Sequence, residues 1–300
     1  MKISGFSFTK NADTLYYPVA ESLRSILPIC DEYVIAIGKG APGDRTREII
    51  SSINDPKIRI IDTEWENKPG IDAHVFGKQT DIALDACTGD WCFYLQSDEV
   101  VHERFLPVIR SRCSDLLHDK EVEGFLFSYK HFWGDYGHYH INHKWYPREI
   151  RIIRNKIGVR SWLDAQSFRL NGRKLRVAEL DAEIFHYGWV RPPALMQKKR
   201  REMELAYHDK ESVDSMFAEK PPLFDYGPMN RLARFNGTHP EAMREWIAKM
   251  DWKNQLDYAG TSKARFKHDR LKYRILTFLE QRVLGGRQIG GFRNYTLIRR

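Results

Sequence analysis

Two adjacent carboxylates follow a short apolar segment at the end of the first third of the chain. Residues 91–95 form a continuous apolar run after a Gly-Asp pair, which is typical of a strand buried on both faces. Asp98 and Glu99 follow directly, where ligands of open α/β sheets bind. Neighbouring carboxylates repel each other unless a positive charge lies close. By itself such a pair is more typical of a solvated turn, and the functional interpretation is a divalent cation held together with a substrate phosphate.

A second group of chemically capable side chains lies in the aromatic segment 131–146. Three histidines are close together in it: His138, His140 and His143. They suggest zinc, but no fourth ligand is evident, and alternation along a strand does not by itself produce metal geometry. Aromatic and histidine side chains also stack on sugar rings and bond their hydroxyls, which is the interpretation we prefer.

The elements that must position these groups alternate regularly in the first hundred residues. Apolar patterning predicts strands at 3–8, 33–37, 58–62 and 91–95, and helices at 15–27, 46–53 and 75–86. This β-α-β-α-β-α-β order predicts an α/β fold with a mainly parallel central sheet and helices on both faces. Further strands are predicted at 124–129, 150–154 and 182–186. After Pro192-Pro193 the chain is mostly helical, with helices predicted at 194–207, 241–250 and 269–284.

Length and composition describe an ordinary soluble protein. At 300 residues and 35.3 kDa the chain can bury one large core, with or without an appendage. No stretch approaches the roughly 20 apolar residues that span a bilayer. The N-terminal residues indicate a first strand rather than a secretion signal, so we expect a cytoplasmic protein. Four cysteines without C-x-x-C spacing are expected to be packing thiols: Cys30, Cys87, Cys92 and Cys113.

Charge is distributed unevenly along the chain. Residues 1–100 carry 10 Lys and Arg against 16 Asp and Glu, whereas the other 200 carry 38 against 24. In residues 261–300, 11 cationic side chains oppose only Asp269 and Glu280. Such a region suits an anionic membrane surface, a phosphate-bearing acceptor or nucleic acid, and a solvated helix face is an equal alternative.

Four motifs occur in the order found in one enzyme family. They are Thr9-Lys10-Asn11-Ala12-Asp13, the strand 34–38 with Gly43-Asp44-Arg45-Thr46, Leu95-Gln96-Ser97-Asp98-Glu99, and His186-Tyr187-Gly188-Trp189. Together they resemble the family 2 glycosyltransferases, which have the GT-A fold and use nucleotide sugars. The resemblance covers residues 3–191. Two departures are visible: the first motif lacks the family's Arg and Glu, and Gln96 stands where the family usually has its first Asp.

The resemblance implies roles for individual residues. Those expected to bind the nucleotide are Thr9, Asn11, Asp44, Lys78, Gln96 and Ser97. Asp98 and His186 are expected to hold Mg²⁺ or Mn²⁺, with lower affinity because Gln96 contributes no charge. Glu99 is either part of this motif or structural. The residues expected to contact the acceptor are Trp133, Tyr136 and Trp145.

A catalytic base is also implied, because such enzymes usually invert the anomeric carbon with a carboxylate acting on the acceptor hydroxyl. Asp164 is our choice, since it follows the strand at 150–154 about where some members carry a His-Glu pair. Glu149 and Asp135 are the other candidates.

The sequence therefore predicts a GT-A-like domain at 1–191, with a donor half to residue 100 and an acceptor half after it, followed by a helical, basic extension at 192–300. We expect transfer of a sugar, first from a UDP donor, to a glycan or lipid-linked acceptor in surface-polysaccharide or lipopolysaccharide assembly. The extension would contact the inner membrane face, and nucleic acid is not the expected partner. The alternatives are a sugar-phosphate nucleotidyltransferase, whose phosphate loop is missing after the first strand, and a non-catalytic polyanion-binding protein.

Overall fold

The computed structural model describes residues 1–65, 74–291 and 293–300. The first hundred residues alternate between strands and helices as predicted. Their strands are β1 (Ile3–Thr9), β2 (Glu32–Gly38), β3 (Ile58–Thr63), β4 (Trp91–Tyr94) and β5 (Glu99–Val101). Their helices are α1 (Val19–Ile26), α2 (Thr46–Ser51) and α3 (His74–Asp85). Helix α1 begins later than predicted because Pro18 precedes it and the segment before forms turns, with a positive φ at Tyr16.

The middle of the chain is dominated by longer strands. After α4 (Leu106–Asp115) come β6 (Gly124–Trp133), β7 (His138–His140), β8 (Arg148–Arg154), β9 (Val159–Trp162), β10 (Ser167–Leu170) and β11 (Arg173–Trp189). The sequence pattern did not predict β9 and β10, which form a hairpin of short strands. Residues after Trp189 form α5 (Pro193–Glu204), α6 (Lys210–Ala218), β12 (Ala233–Arg234), α7 (Arg244–Ala248), α8 (Leu271–Arg282) and β13 (Tyr295–Ile298).

Nine of the strands form one continuous path in the order β3-β2-β1-β4-β8-β6-β11-β10-β9, and β5, β7, β12 and β13 pair beside it. The first four run parallel, whereas β8 is antiparallel to both of its neighbours. The short strand β5 pairs with β11, which places Glu99 opposite His186. The predicted α/β fold, with helices packed on a mainly parallel donor half, is confirmed.

The sheet is covered on both faces, as the apolar strands require. One face packs against α1 and α4 through side chains that include Ile3, Ile35 and Phe93. The opposite face packs against α3 through side chains that include Phe6, Val34 and Tyr94. The four cysteines are buried and unpaired, as predicted. Among the described residues no helix is both long and apolar enough to cross a membrane.

The C-terminal residues pack onto this sheet rather than standing apart from it. Phe224, Met243 and Trp252 share an aromatic cluster with Phe132 and Tyr187 of the two longest strands. Strand β13 adds to β11 in parallel. Helix α5 thereby lies beside the carboxyl ends of β1 and β4, where its side chains enter the candidate site.

Candidate active site

A cavity of about 620 Å³ opens at the carboxyl ends of β1 and β4. Its volume is in the range of small-molecule sites. Seven of the residues predicted from the sequence line it: Thr9, Asn11, Gln96, Ser97, Asp98, Asp164 and His186. These residues come from four separate parts of the chain. The fold therefore brings together the donor motif, the late His-containing turn and the predicted base.

Hydrogen bonds connect the segments that follow β1, β2 and β4 near the cavity. The Ser97 hydroxyl donates a 3.0 Å hydrogen bond to Thr9 Oγ1. Asn11 has a φ of +57°, and its Oδ1 accepts a 2.7 Å hydrogen bond from the Ala41 amide. A second hollow of about 410 Å³ adjoins the cavity and shares Asn11 and Trp65 with it.

Two predicted nucleotide-binding residues do not line the cavity. Asp44 accepts hydrogen bonds from the amides of Thr14 and Thr46, so its carboxylate joins the loop after β2 to the turn after β1. Lys78 lies on the exposed side of α3, away from the cavity wall. Asp44 precedes Arg45, the N-cap residue of α2, and its carboxylate is engaged within these loops.

Asp98 and His186 lie side by side at the base of the cavity. Asp98 Oδ2 is 3.8 Å from His186 Nε2, and the Asp98 carbonyl accepts a 2.7 Å hydrogen bond from the Tyr187 amide. Gly188 makes this approach possible, because a Cβ there would lie 2.6 Å from both Asp98 Oδ2 and His186 Nε2. The glycine of the late turn is thus a packing requirement of the site.

A chain of hydrogen bonds determines which nitrogen of His186 faces Asp98. The Tyr146 carbonyl, which can only accept, lies 2.8 Å from His131 Nε2, so this nitrogen carries the proton. Burial, followed by the nearby His186, lowers the pKa of His131 well below its usual value, and its Nδ1 therefore accepts from His186 Nδ1 at 3.0 Å. Burial also lowers the pKa of His186 against the opposing effect of Asp98. His186 Nε2 is left with a free electron pair, the form that binds metal ions.

Lys199 of α5 reaches the same point from the other side. Its ammonium donates to the Gly188 carbonyl at 2.7 Å and lies 3.4 Å from Asp98 Oδ2. Burial raises the pKa of Asp98, but the electrostatic interactions with Lys199, His186 and Arg191 and the hydrogen bond from Lys199 outweigh burial and lower this pKa below its ordinary value. Burial and Arg191 lower the pKa of Lys199 to about 7, while Asp98 opposes them.

Glu99 is structural, one of the two alternatives that the sequence left open. Glu99 and Arg151 have fully buried side chains and form a two-pronged ion pair at 2.7 and 2.8 Å. Glu99 also accepts hydrogen bonds from the Tyr129 hydroxyl and from the backbone amide of Gln96. Its carboxylate is therefore fully engaged and holds the turn that carries Gln96 and Asp98.

Asp164 lies in the turn between β9 and β10 and faces the cavity. The residues on either side, Leu163 and Ala165, have φ values of +54° and +63°. Non-glycine residues rarely adopt this region, and such strain concentrates at functional sites. Tyr207, just beyond α5, lies within 3.4 Å of the Asp164 carboxylate. The strained loop and the contact with Tyr207 together position the Asp164 carboxylate at the cavity.

The other two candidate bases are engaged elsewhere. Glu149 is buried and bonded to Ser167 and Asn294. Asp135 bonds to His138 and to the Tyr258 hydroxyl. Neither residue lines the cavity, so among the three candidates only Asp164 has the required position.

The predicted acceptor contacts are corrected by burial. Trp133 and Tyr136 lie in the aromatic core, where the Trp133 indole donates to the Tyr226 carbonyl, and Trp145 stacks on His140. None of the three lines the cavity. Trp189 and Tyr146, which pack against this cluster, do line it. The three predicted side chains pack within the large aromatic cluster, and Trp189 and Tyr146 at its edge contact the cavity instead.

The three neighbouring histidines do not gather around a common point. His138 pairs with Asp135, His140 contacts Asn142, and His143 pairs with Glu280 of α8. Within the described ranges no group of three or more His, Cys, Asp or Glu side chains could hold a metal by itself. The Asp98–His186 pair fits a divalent cation only as a partial site, whose remaining ligands would come from substrate and water.

Several residues of the site were not predicted from the sequence. Lys199 stands within the run Lys198-Lys199-Arg200-Arg201, where nothing distinguishes it from its neighbours. His131 was not distinguished from the other histidines of its segment. Arg151 alternates with apolar residues in β8 and gives no sign that it is paired. Only the packing of β4, β6, β8, β11 and α5 places these side chains near Asp98.

Comparison with known proteins gave distant structural likenesses. No family model matches the chain, and no curated protein matches it. Residues 1–349 of Staphylococcus aureus TarS in complex with UDP-GlcNAc align with 20% identity and a TM-score of 0.31, over 44% of this chain and 35% of that one. A further structure of S. aureus TarS aligns with 15% identity and a TM-score of 0.37, over 73% of this chain and 42% of that one. Glucosyl-3-phosphoglycerate synthase from Mycobacterium tuberculosis, in complex with Mn²⁺, UDP and phosphoglyceric acid, aligns with 19% identity and a TM-score of 0.29, over 44% and 43%. The alignments therefore span less than half of those chains, and likeness at this level assigns neither substrate nor residue roles.

Proposed function

We propose that this chain is an inverting glycosyltransferase of the family 2 type that moves a hexosyl group from a nucleotide-diphosphate sugar, UDP-sugar first, to an acceptor hydroxyl. One observation carries the proposal: a carboxylate, a neutral imidazole and a strained-loop carboxylate converge on a single cavity of about 620 Å³. Asp98 and His186 offer electron pairs at one point, and Asp164 faces the same space. The expected acceptor is a glycan or a lipid-linked sugar of surface-polysaccharide or lipopolysaccharide assembly, and the expected location is the cytoplasm.

The residues of the cavity have complementary roles in this reaction. Thr9, Asn11 and Ser97 provide hydrogen-bonding groups for the nucleoside. Asp98 and His186 would hold Mg²⁺ or Mn²⁺, which neutralises the leaving diphosphate when bound. Asp164 takes the proton of the acceptor hydroxyl. The acceptor oxygen then forms a bond to the anomeric carbon as the bond from that carbon to the diphosphate oxygen breaks, and the nucleoside diphosphate leaves.

The proposal is tested by calorimetric titration of UDP into the protein with and without Mn²⁺, with GDP and CMP as comparison nucleotides. Binding that prefers UDP and strengthens with Mn²⁺ is the expected result, and a screen of UDP-sugars would follow. If no nucleotide binds, the transferase proposal is wrong and the polyanion-binding alternative becomes the leading one. Polyanion binding would weaken steeply with salt.

Asp164→Asn should lower the rate of sugar transfer about 10²- to 10⁴-fold, the usual contribution of a general base, because the amide cannot take a proton. UDP affinity should stay within about twofold, since the leaving nucleotide does not need a base. The measurement combines initial rates of transfer with UDP titration. Asp135→Asn is the matched control, because Asp135 is engaged outside the cavity. Equal rates in Asp164→Asn and the unchanged protein would remove Asp164 from the mechanism.

We also propose that α8 attaches the enzyme to an anionic membrane surface, where lipid-linked acceptors are held. The protein-facing side of α8 is polar: Thr277 accepts from the His143 amide, and Glu280 pairs with the His143 ring. Its outward side is apolar, with Leu271, Ile275 and Phe278 exposed by 71%, 52% and 62%. Cationic side chains accompany this face: Lys272, Arg274, Arg282 and Arg287. An apolar stripe beside cations is complementary to the interface of an anionic bilayer.

Ile275→Ser combined with Phe278→Ser should lower binding to vesicles of phosphatidylglycerol and phosphatidylcholine about 10-fold or more, because both side chains lose apolar surface that the bilayer would bury. The measurement is co-sedimentation at two salt concentrations, with phosphatidylcholine vesicles as the neutral comparison. Ile82→Ser, at an exposed position on α3, is the control. Equal binding of the double variant, or a dimer in solution that the double variant abolishes, would show that α8 does not serve this purpose.

A further inference from the structure

Lys199 is a buried cation that the reaction described above does not use. Lys199 is 6% exposed, and its ammonium lies over the rings of Tyr17 and Trp189, whose centroids are 4.9 and 5.9 Å from Nζ. Burying an ammonium is costly unless anions or acceptors surround it. Asp98 and the Gly188 carbonyl offset part of this cost, and Lys199 also lines the cavity, where its charge is available to a ligand. The position of this charge therefore points to a ligand.

The charges around Lys199 leave a place for an additional anion. Glu99 is neutralised by Arg151, and Gln96 carries no charge, so Asp98 is the acidic group of the motif that remains for Lys199. An ammonium has three N–H donors. Two of them are directed to the Gly188 carbonyl and to Asp98 Oδ2, which leaves one for an oxygen in the cavity.

We propose that Lys199 binds the diphosphate of the donor directly, beside Asp98. This inference rests on the proposed function, because it requires a nucleotide donor in the cavity. Lys199 lines that cavity together with Thr9, Ser97 and Asp98, so an anion bound there lies within reach of its free donor. Gln96 removes one negative charge from the motif, and Lys199 supplies a positive charge that belongs to the protein. Binding of the donor diphosphate then depends less on a divalent cation than it would if the motif contained two acidic ligands.

Other cations of the cavity are less suited to this role. Arg201 and Lys210 both pair with Asp214 of α6, outside the base of the site. Lys10 lies over the Trp65 ring, with 5.0 Å between Nζ and the ring centroid. Of these four side chains, only Lys199 contacts the carboxylate at which the diphosphate is expected.

The test is calorimetric titration of UDP and of uridine into the whole protein, in Mn²⁺ and in EDTA. Lys199→Met should lower UDP affinity about 10- to 100-fold in both solutions, the size of a lost charge-assisted hydrogen bond. Uridine affinity should not change, because uridine lacks the diphosphate. Lys198→Met, one residue away on the exposed side of α5, should behave like the unchanged protein. Lys199→Arg should retain most of the UDP affinity, and thermal unfolding verifies that each variant is folded.

Three results would overturn the inference. Equal UDP affinity in Lys199→Met and the unchanged protein would show that the ammonium does not contact the diphosphate. Parallel loss of UDP and uridine binding would show a structural role. A loss in Mn²⁺ but not in EDTA would show that Lys199 acts only by positioning Asp98. If the unchanged protein binds no UDP, the proposed function is wrong, and this inference is withdrawn with it.

Discussion

Asp98→Asn should lower UDP affinity in Mn²⁺ about 100-fold, equivalent to ~2.7 kcal/mol, and should lower sugar transfer by at least as much. The amide keeps an oxygen for Lys199, so the local fold is retained, but it loses the charge that makes this oxygen a good cation ligand. UDP titration and initial rates of transfer are the measurements. UDP binding in EDTA should change less, because the cation-dependent part is already absent.

A second variant, Gly188→Ala, accompanies this prediction, and each of the two variants has a matched control. Asp90→Asn removes a carboxylate next to the opposite end of the same strand, where Asp90 accepts from the Lys2 amide, and should leave UDP affinity unchanged. Gly188→Ala should reproduce the loss without altering any ligand, because its Cβ would lie 2.6 Å from both Asp98 Oδ2 and His186 Nε2. Gly137→Ala should have no effect on UDP binding, since the nearest atom to its Cβ would be 3.7 Å away.

Unchanged Mn²⁺-dependent binding in Asp98→Asn would refute the assignment of Asp98 as a cation ligand. If Gly188→Ala lost UDP binding and Asp98→Asn did not, the cavity would still be the donor site. The residues around Asp98 would then contribute only the shape of the cavity and not a cation site. The pair of variants thus separates the charge of the site from its shape.

Arg151→Met should lower the free energy of unfolding by about 3–5 kcal/mol, because Glu99 would remain buried without its counter-ion. Both side chains are 0% exposed, and the guanidinium also donates to the carbonyls of Ile150 and Gln166. Urea denaturation monitored by tryptophan fluorescence measures the change. Glu99 accepts a hydrogen bond from the backbone amide of Gln96 and so holds the turn that carries Gln96 and Asp98. The same variant should therefore also weaken UDP binding.

Arg160→Met provides the exposed comparison. Arg160 and Asp85 form an ion pair at 2.6 Å with both side chains more than half exposed, and its loss should cost less than about 1 kcal/mol. Adding Glu99→Leu to Arg151→Met should restore much of the stability, since a matched apolar pair removes the unpaired charge. A cost below about 1 kcal/mol for Arg151→Met would mean that water or another cation reaches Glu99, contrary to its burial.

Much of the donor half could be predicted from the sequence. Alternating apolar runs predicted β1 to β4 and the helices between them to within a few residues, because burial on both faces of a parallel sheet requires such runs. Asp98 could be selected as a site residue for the same reason, since the end of a buried strand is where a parallel sheet presents its ligands. The antiparallel hairpin of β9 and β10 was missed because four-residue strands leave little periodicity to detect.

Residue type and local spacing alone thus determined most elements of the donor half, the edge of the sheet that carries the site, and Asp98 as its candidate, whereas His186 and Asp164 were implied by the family resemblance. The tertiary structure decided which charges meet there. Glu99 became a structural group because β8 brings Arg151 beneath it, His186 acquired its free nitrogen through His131, and α5 delivered Lys199 to Asp98. Trp133 and Tyr136 entered the core for the same reason. Such pairings join residues 52 to 101 positions apart. The energies that select them depend on burial and distance, which no local pattern in the sequence encodes.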